Sequence, residues 1–515
     1  MDRIYLLLIA MLFLNLSKAQ TGESFFTTTL SPQIKDKDRR TDNVFLGSDN
    51  NGNVYFARTI ISSSYKTTYV ADKLDKNLKL VQTKELPFSP TNNNKTNINL
   101  DVFKNKANNK LYFLGLNDNG KNASISPLEI KIPDMTMTPT GKVLDDGIRH
   151  EVLAAVLHTQ LVSPDSNIIA YVSQMNNDPS PGKYGSLLHA SIFDASLNVK
   201  WTGDVDFPFV KGEAEIMDMC VGNDGYLNFV ILSFPDKKWH WEGEYLNYST
   251  AKWKLIRAKG QEVKTFDLSL KEGNISFSRI TSSTDMITVT GIWCKGLDLN
   301  AKGVFSMRIN TTGEVISSNT SLFPANFLTP NLKPGGATEK WLHWRWNMSR
   351  IFQLKNGGLA WAIEQHYVNN INNGENHCDL SELVVYIDKD NQITKTIEVP
   401  KIQTYYGGNP SAVTLLNDKI YVIYLDNPAN AGKKDKAEIF ANSWPEHKRD
   451  ATTCVMVAEA RPDGTYTKGV AVPASIENKY FIPGSVTNDG RGNLIVWSSY
   501  GNINFITQAV KITPK

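Results

Sequence analysis

The chain has 515 residues, a formal net charge of +3, 10% aromatic residues and four cysteines. A nearly balanced charge without a basic block argues against a nucleic-acid partner, because phosphate binding needs clustered Lys and Arg. Four cysteines are too few for a disulfide framework in a chain of this length. No stretch after the N-terminus is apolar over the roughly 20 residues that a membrane-spanning helix requires.

The N-terminus has the pattern of a secretory signal. Arg3 precedes an apolar run over residues 4–14, and the small residues Ser17 and Ala19 precede a cleavage point at Gln20. The apolar run is too short to cross a membrane. We therefore expect residues 1–19 to be a signal peptide and residues 20–515 to form an exported, soluble protein without a transmembrane segment.

One unit recurs along the rest of the chain: a β-rich run, a tight turn of Asn, Asp or Gly, and then a strand rich in Tyr and Val. The strands that follow the turn begin at intervals of roughly 57 to 74 residues, as expected for four-stranded propeller blades with insertions. Eight such strands are present, beginning at Val54, Leu111, Ile168, Leu227, Ile287, Leu359, Ile420 and Leu494.

The repeat predicts an all-β fold, a single β-propeller of four-stranded antiparallel blades. We name the strands of each blade A to D from the axis outward. Eight B strands indicate eight blades, or seven if one unit is irregular. The last unit supplies only three strands before the chain stops, and residues 24–29 are suited to be the fourth. Closure of the ring by this N-terminal strand would leave no blade edge unpaired.

The connections divide into two classes. The A–B and C–D links are mostly short turns, whereas the B–C and D–A links are mostly long. In a propeller these classes emerge on opposite faces, which we name the short-turn face and the long-link face. Binding residues concentrate in long loops on a rigid scaffold. We therefore expect the binding surface on the long-link face.

Most Trp and His residues of the chain fall in long links of the fourth to seventh units. Trp, Tyr and Arg dominate protein-interface hot spots, and aromatic rings also stack on sugars. The alternative is that the long loops pack on one another and use Trp as local core. The predicted binding set is Trp239, His240, Trp241, Trp341, His343, Trp344, Arg345, Trp346, His366, Tyr367, Tyr405, Tyr406 and Trp444, whereas Trp201, Trp253, Trp361 and Trp497 lie in strands and are interpreted as packing residues.

The cysteines suggest packing or a single crosslink. Cys220 and Cys454 lie in apolar strand-like runs and are interpreted as buried thiols. Cys294 and Cys378 should emerge on the long-link face of adjacent blades, where a disulfide is favoured over a zinc site because the close spacing of zinc ligands is lacking. Unpaired thiols are the remaining reading. No metal and no cofactor is predicted.

Catalytic signatures are lacking. The sequence has no GxSxG elbow, no Walker-type Gly-rich loop and no HExxH motif. His240, His343, Arg345 and Tyr367 could serve a lyase-like reaction on a polysaccharide, but residue types without a fixed geometry do not establish an active site. The sequence-based prediction is a protein that is not an enzyme.

The later part of the chain resembles uncharacterised exported β-propeller proteins of Bacteroidota, through residues 362–368 (AIEQHYV) and 417–428 (NDKIYVIYLDNP). The resemblance implies the propeller fold and no particular activity. The chain stops after its last strand without a C-terminal sorting domain, which favours the periplasm or the outer membrane over full secretion. Two functions follow: a non-catalytic protein-binding scaffold in an envelope or secretion assembly, such as a type 9 translocon, or a glycan-binding or polysaccharide-cleaving propeller.

Overall fold

The structure is a computed structural model. It describes residues 25–37, 39–62, 67–86, 96–104, 110–118, 122–149, 157–174, 188–205, 214–233, 251–295, 301–325, 327, 346–371, 374–405, 411–443, 454–473, 483, 485–500 and 504–515. The predicted signal peptide lies outside the described residues. Among the described residues, no helix has the length and apolar character needed to cross a membrane.

Eight antiparallel sheets form a β-propeller, so the predicted fold class and the blade count of eight are confirmed. The first two strands are β1 (Phe26–Leu30) and β2 (Ile34–Lys37). Blade one has β3 (Arg39–Ser48), β4 (Val54–Ser62), β5 (Thr67–Leu74) and β6 (Leu80–Glu85); blade two has β7 (Thr96–Lys104), β8 (Leu111–Asp118), β9 (Asn122–Lys131), β10 (Thr136–Pro139) and β11 (Asp145–Arg149); blade three has β12 (Leu157–Val162), β13 (Ile168–Gln174), β14 (Leu188–Asp194) and β15 (Val199–Val205).

The other five blades follow in the same order. Blade four has β16 (Ala214–Val221), β17 (Leu227–Ser233), β18 (Lys252–Lys259) and β19 (Glu262–Leu268); blade five has β20 (Asn274–Ser282), β21 (Met286–Cys294), β22 (Ala301–Asn310) and β23 (Val315–Leu322). Blade six has β24 (Trp346–Met348), β25 (Phe352–Gln353), β26 (Leu359–Ile371), β27 (Gly374–Ile387), β28 (Ile393–Val399) and β29 (Gln403–Tyr405). Blade seven has β30 (Ala412–Leu416), β31 (Lys419–Asp426), β32 (Cys454–Ala460) and β33 (Tyr466–Val472), with a 3-10 turn (Pro428–Asn430) and helix α1 (Lys436–Ser443) in its B–C link; blade eight has β34 (Ser485–Asn488), β35 (Leu494–Tyr500) and β36 (Asn504–Pro514).

The ring closes as the sequence predicts. Strand β1 pairs antiparallel with β36, with Phe26 opposite Pro514 and Leu30 opposite Val510, and so supplies the fourth strand of blade eight. Strand β2 extends the same edge. Between blade eight and blade one, the indole of Trp497 stacks on Phe45 at 6.2 Å and meets Phe56 edge to face at 5.5 Å. Closure therefore combines backbone pairing with an aromatic contact.

The hydrophobic core lies between the blades. Each of the eight interfaces between neighbouring blades holds its own cluster of buried apolar side chains. Trp361 is fully buried between blades five and six, and Trp253 packs between blades four and five. Trp201 is partly buried against the cluster between blades three and four. Burial of these rings removes large apolar areas from water, so the blades stabilise one another.

The short-turn face is built from one recurring turn. In its C–D links, the amide of the fourth turn residue donates to the carbonyl of the first, as from Leu197 to Asp194 at 2.8 Å. The fourth residue has positive φ whether it is Leu197 (63°), Asn391 (68°) or Gly464 (95°). This geometry makes a three-residue hairpin connection compatible with strand twist. The Asp194 carboxylate also accepts bonds from the amides of Ser196 and Asn198, both at 2.9 Å.

A charged network joins blades two and three. The imidazole of His189 on β14 lies 2.7 Å from Oδ2 of Asp145 on β11 and 2.8 Å from Oδ1 of Asp204 on β15. Ser191 also donates to Asp145. Burial alone would lower the pKa of His189, but the bonds to Asp145 and Asp204 outweigh it and raise that pKa. A ring that faces a carboxylate at each nitrogen is stabilised in its doubly protonated, cationic form.

Candidate functional site

A cavity of about 830 Å³ lies on the propeller axis. Every blade except the fourth contributes to its wall, mainly through the innermost strands. Apolar groups alternate with hydrogen-bonding groups: the wall includes Trp346, Trp497, Gln160, Asn347, Ser411 and Thr487. Four of its lining residues carry formal charges, Arg279, Arg350, Glu364 and Glu382. Mixed apolar and polar lining is typical of a site for a polar small molecule or chain segment.

Arg279 on β20 is bound into the wall of the cavity. Its Nη1 donates to Oδ1 of Asp218 on β16 at 3.0 Å, and its Nη2 donates to the carbonyl of Met348 at 3.1 Å. Asp218 accepts a further bond from the amide of Ile280 at 2.8 Å. Burial raises the pKa of Asp218, and the attraction of Arg279 offsets only part of that increase. Arg279 therefore links blades four, five and six, and its charge has a counter-ion.

Arg350, just beyond β24, differs from Arg279. Its side chain lines the cavity, and its guanidinium carbon lies 5.0 Å from the ring centre of Phe352. Among the residues that the structure describes, no carboxylate lies within ion-pair distance of it. Burial lowers the pKa of Arg350 from its usual value. A guanidinium nevertheless stays protonated at physiological pH, so this cation lines the cavity without a counter-ion from the described part of the chain.

The two acidic residues of the wall lie opposite each other on blade six. Glu364 on β26 and Glu382 on β27 are direct cross-strand partners, and each is only 1% exposed. The fully buried ammonium of Lys401 donates to Oε1 of Glu364 and to Oε1 of Gln403, the latter at 3.1 Å. Like charges directly opposite each other destabilise a sheet, so Lys401 supplies the compensating charge.

Two further donors hold Glu364 in place. The hydroxyl of Ser411 donates to Oε1 of Glu364 at 3.0 Å, and the amide of Asn347 donates to its Oε2 at 3.4 Å. Glu364 thus connects the B strand of blade six to the starts of two innermost strands. Its main effect is to fix the geometry of the cavity wall, since little of its surface is accessible.

The predicted binding residues are placed only in part. Trp346 lines the cavity, is 7% exposed and stacks on Phe323 at 6.0 Å, so its ring serves packing as well as the wall. His366 is 7% exposed and lies on β26. Tyr367 and Tyr405 lie in strands β26 and β29, and their side chains are not described. The remaining predicted positions lie outside the described residues: Trp239, His240, Trp241, Trp341, His343, Trp344, Arg345, Tyr406 and Trp444.

One predicted long loop is a hairpin. The sequence suggests a B–C loop from His366 to Cys378, but β26 continues to Ile371 and β27 begins at Gly374. Tyr367 pairs with Cys378 and Val368 pairs with His377. The stretch is therefore a two-stranded β-ribbon, and its high content of Asn, a residue typical of turns, obscures the strands in the sequence.

The disulfide between Cys294 and Cys378 stays a prediction. Cys294 is buried, and its Sγ lies 3.5 Å from the carbonyl oxygen of Asn274. The side chain of Cys378 is not described. Cys454 is a buried thiol that donates to the carbonyl of Asp426 at 3.2 Å, and burial raises its pKa to about 12. Cys220 is only half-buried. Within the described parts of the chain, no three His, Cys, Asp or Glu side chains are grouped to hold a metal ion.

Sequence reasoning missed the charged cavity residues. These residues lie in or beside strands, whereas the sequence analysis sought binding residues in the long links. They are Arg279, Arg350, Glu364 and Glu382. A signal was present at Glu364 and Glu382, since each borders a run of apolar residues, 359–363 and 383–387 respectively. A charged residue next to such a run indicates a buried polar role.

Comparison with known proteins shows that solved structures resemble this chain in fold. No family model matches the chain, and no curated protein matches it in sequence. Among solved structures, polysaccharide lyase Uly1 is similar with 10% identity and a TM-score of 0.40, over 95% of this chain and all of that one (100%). Prolyl oligopeptidase B from Galerina marginata is similar with 8% identity and a TM-score of 0.39, over 92% of this chain. The chain spans 55% of the length of that enzyme.

A third similar structure is the α-L-arabinofuranosidase Arb93A from Fusarium graminearum, with 10% identity and a TM-score of 0.31, over 69% of this chain and 92% of that one. These neighbours contradict the prediction that the protein is not an enzyme, because most of them are enzymes. The absence of known catalytic motifs was an insufficient basis for that prediction, since propeller enzymes can assemble sites from residues far apart in sequence. The low similarity assigns no particular reaction to this chain.

Proposed function

We propose that this propeller binds a carbohydrate chain in the cavity on its axis. The observation that supports the proposal is the composition of the cavity wall. Indole rings of Trp346 and Trp497 stand among amide, hydroxyl and guanidinium groups. Sugars present flat C–H faces to aromatic rings and hydroxyl groups to hydrogen-bonding side chains, so they use both kinds of surface.

The size of the cavity is consistent with a short oligosaccharide segment. Ligand sites for small molecules commonly enclose about 300 to 1,000 Å³, and this cavity encloses about 830 Å³. A purely apolar ligand is disfavoured because it would cover the guanidinium of Arg350 and offer it no hydrogen-bond acceptor. The polar groups therefore favour a ligand rich in hydroxyl or charged groups.

The test is binding of the mature protein to a glycan array, followed by calorimetry with the glycans that bind. Val162 lines the cavity and is 44% exposed, so Val162→Trp should fill the site without disturbing the core. Val315, on the outermost strand of blade five and 42% exposed, gives the matched control Val315→Trp. We expect affinity to fall at least about tenfold for Val162→Trp and to stay unchanged for Val315→Trp. Binding of no glycan, or equal affinity of both variants, would contradict the proposal.

The second candidate function is binding of a protein partner on the long-link face. The chain would then be an exported subunit of an envelope or secretion assembly. This candidate is supported by the way in which the long B–C link of blade seven is fixed. Lys436, at the start of α1, pairs with Glu398 of blade six at 2.7 Å and donates to the carbonyl of Phe327 at 2.9 Å. A link tied to the neighbouring blade offers a preformed surface, which lowers the entropic cost of association.

Affinity purification from envelope membranes separates this candidate from glycan binding. We expect a stoichiometric partner to be retained by the wild-type protein and reduced by Lys436→Met, which releases the link. Val162→Trp, which fills the cavity, should leave that partner bound. Equal recovery from the wild-type protein and Lys436→Met would count against an interface that includes this link.

A further inference from the structure

We infer that the cavity selects an acidic glycan, one that bears carboxylate or sulfate groups, and that Arg350 binds the anionic group. The inference rests on the proposed function, since it names the chemical class of the ligand at the same site. It is carried by the charges that line the cavity: their signs, their partners and their accessibility.

The four charged residues of the wall are not equally available to a ligand. Glu364 and Glu382 are each 1% exposed, and Lys401 neutralises the first of them from within the protein. The side chain of Arg279 is 33% exposed, but Asp218 already binds it. Arg350 is exposed, and none of the described carboxylates pairs with it. Among the residues that the structure describes, the accessible cavity charge without a counter-ion is therefore positive.

The position of Arg350 is unfavourable without a ligand. Burial lowers its pKa, which means that the surroundings disfavour the cation relative to water. A cation held in a partly enclosed site gains more from a counter-ion than one in bulk solvent, because the surrounding protein screens the attraction less. An anion of the ligand would supply that counter-ion.

The contact with Phe352 restricts how the anion can approach. The guanidinium carbon lies over the ring, 5.0 Å from the ring centre, so the ring occupies one side of the group. The N–H groups at the edge of the guanidinium plane remain for the ligand. Carboxylate and sulfate oxygens match this edge with two parallel hydrogen bonds, which an uncharged hydroxyl does not.

The experiment uses ligand pairs that differ in charge alone. Oligogalacturonate is compared with its methyl ester, and dextran sulfate with dextran, by calorimetry on the full mature chain. We expect the acidic member of at least one pair to bind at least about tenfold more tightly than its neutral counterpart, with an affinity that falls as salt is added. The pair that shows the preference identifies carboxylate or sulfate as the group recognised.

Variants of Arg350 connect that preference to the residue. Arg350→Gln should abolish the preference for the acid, and Arg350→Lys should retain part of it because it keeps the charge but not the planar edge. Arg491→Gln, an exposed arginine in the A–B turn of blade eight, is the matched control and should bind as the wild type does. Melting temperatures of the variants check that each is folded.

The outcomes separate this inference from the proposed function. Equal binding of the acidic and neutral members, or a preference that survives in Arg350→Gln, overturns the role of Arg350 and leaves carbohydrate binding intact. Binding of neither member of either pair, and of no glycan on the array, overturns both. Binding of acids that is lost equally in Arg491→Gln would indicate a general charge effect and would also overturn it.

Discussion

The blade regions and the axial cavity both hold charged side chains, but the charges differ in whether a protein group of opposite sign compensates them. In blade one, Arg58 pairs with Asp72, which also accepts from Thr83 at 2.6 Å; Arg58 and Asp72 are 3% and 1% exposed. Between blades two and three, His189 has a carboxylate at each ring nitrogen. In the cavity, Arg350 has no such partner among the described residues.

The difference separates charge that stabilises the fold from charge that is left for a ligand. A buried ion pair contributes to a single arrangement of its strands only when each partner is satisfied. Removal of one member should therefore be costly at Lys401 or His189. Removal of an uncompensated charge should cost little stability.

Lys401→Met should produce the largest loss of stability. The variant leaves Glu364 buried without its cation and directly opposite Glu382. Breaking a buried pair from one side typically costs about 3 to 5 kcal/mol. Chemical denaturation of both proteins measures this loss as a difference in the free energy of unfolding. The double variant Lys401→Met/Glu364→Leu should recover part of the loss, and a double variant as unstable as the single one would show that charge compensation is not the cause.

His189→Gln should destabilise the protein by about 2 kcal/mol at low pH, since hydrogen bonds to charged groups contribute about that much. The pKa of His189 is raised in the folded protein above its ordinary value of 6.5. Its contribution is therefore fully present below about pH 6.5 and is lost as the pH rises through the folded-state pKa. Unfolding free energies of both proteins, measured across pH, should converge at high pH. A difference in unfolding free energy that grows with rising pH would contradict stabilisation by the cationic form of His189.

Protonation of Asp145 sets the acidic limit of the stability that the network of His189, Asp145 and Asp204 contributes. Burial alone would raise its pKa, but the bonds from His189 and Ser191 leave it below the ordinary value of 3.8. Stability from this carboxylate is present above about that pH and is lost as the pH falls through the folded-state pKa. This network should therefore contribute most to the free energy of unfolding at mildly acidic pH.

The architecture was predictable because its determinants are local. Tight turns with Asn, Asp or Gly at left-handed positions mark the strand starts, so the B strands beginning at Val54 and Leu494 were located from residues immediately before them. The missing fourth strand of the last unit pointed to the N-terminal segment, and β1 pairs there. Alternation and turn chemistry act over a few residues, and sequence reveals them directly.

The candidate site was less predictable because it depends on burial and on distant neighbours. Arg279 lies within β20 and Arg350 just beyond β24, and among the described residues only Arg279 meets a carboxylate, from a strand about 60 residues away. Trp346 was predicted as a binding residue from its Trp-rich segment, and it lines the cavity, but the segment gives no sign that its ring also stacks on Phe323. Which charge is compensated follows from packing between blades, and no local pattern encodes it.

Asp194→Ala should have an intermediate effect of about 1 kcal/mol, as is common for loss of a side-chain acceptor from backbone amides. The carboxylate binds the amides of Ser196 and Asn198 and the side chain of Asn198, and so fixes the C–D turn of blade three. Asp194→Asn is the matched control, because it keeps an acceptor oxygen and should retain most of the stability. Equal losses in both variants would mean that the negative charge, rather than the turn geometry, stabilises this link.

Arg350→Met should have the smallest effect on stability, within about 0.5 kcal/mol of the wild type, since it breaks no ion pair with any residue that the structure describes. Met keeps part of the methylene chain of Arg350. Arg279→Met is the matched comparison: it removes the partner of a half-buried carboxylate, Asp218, and should cost distinctly more. An acidic ligand should raise the melting temperature of the wild-type protein and leave that of Arg350→Met unchanged. Loss of stability in Arg350→Met as large as in Arg279→Met would place both arginines among the residues that hold the fold together, and the contrast between cavity and blades would fail.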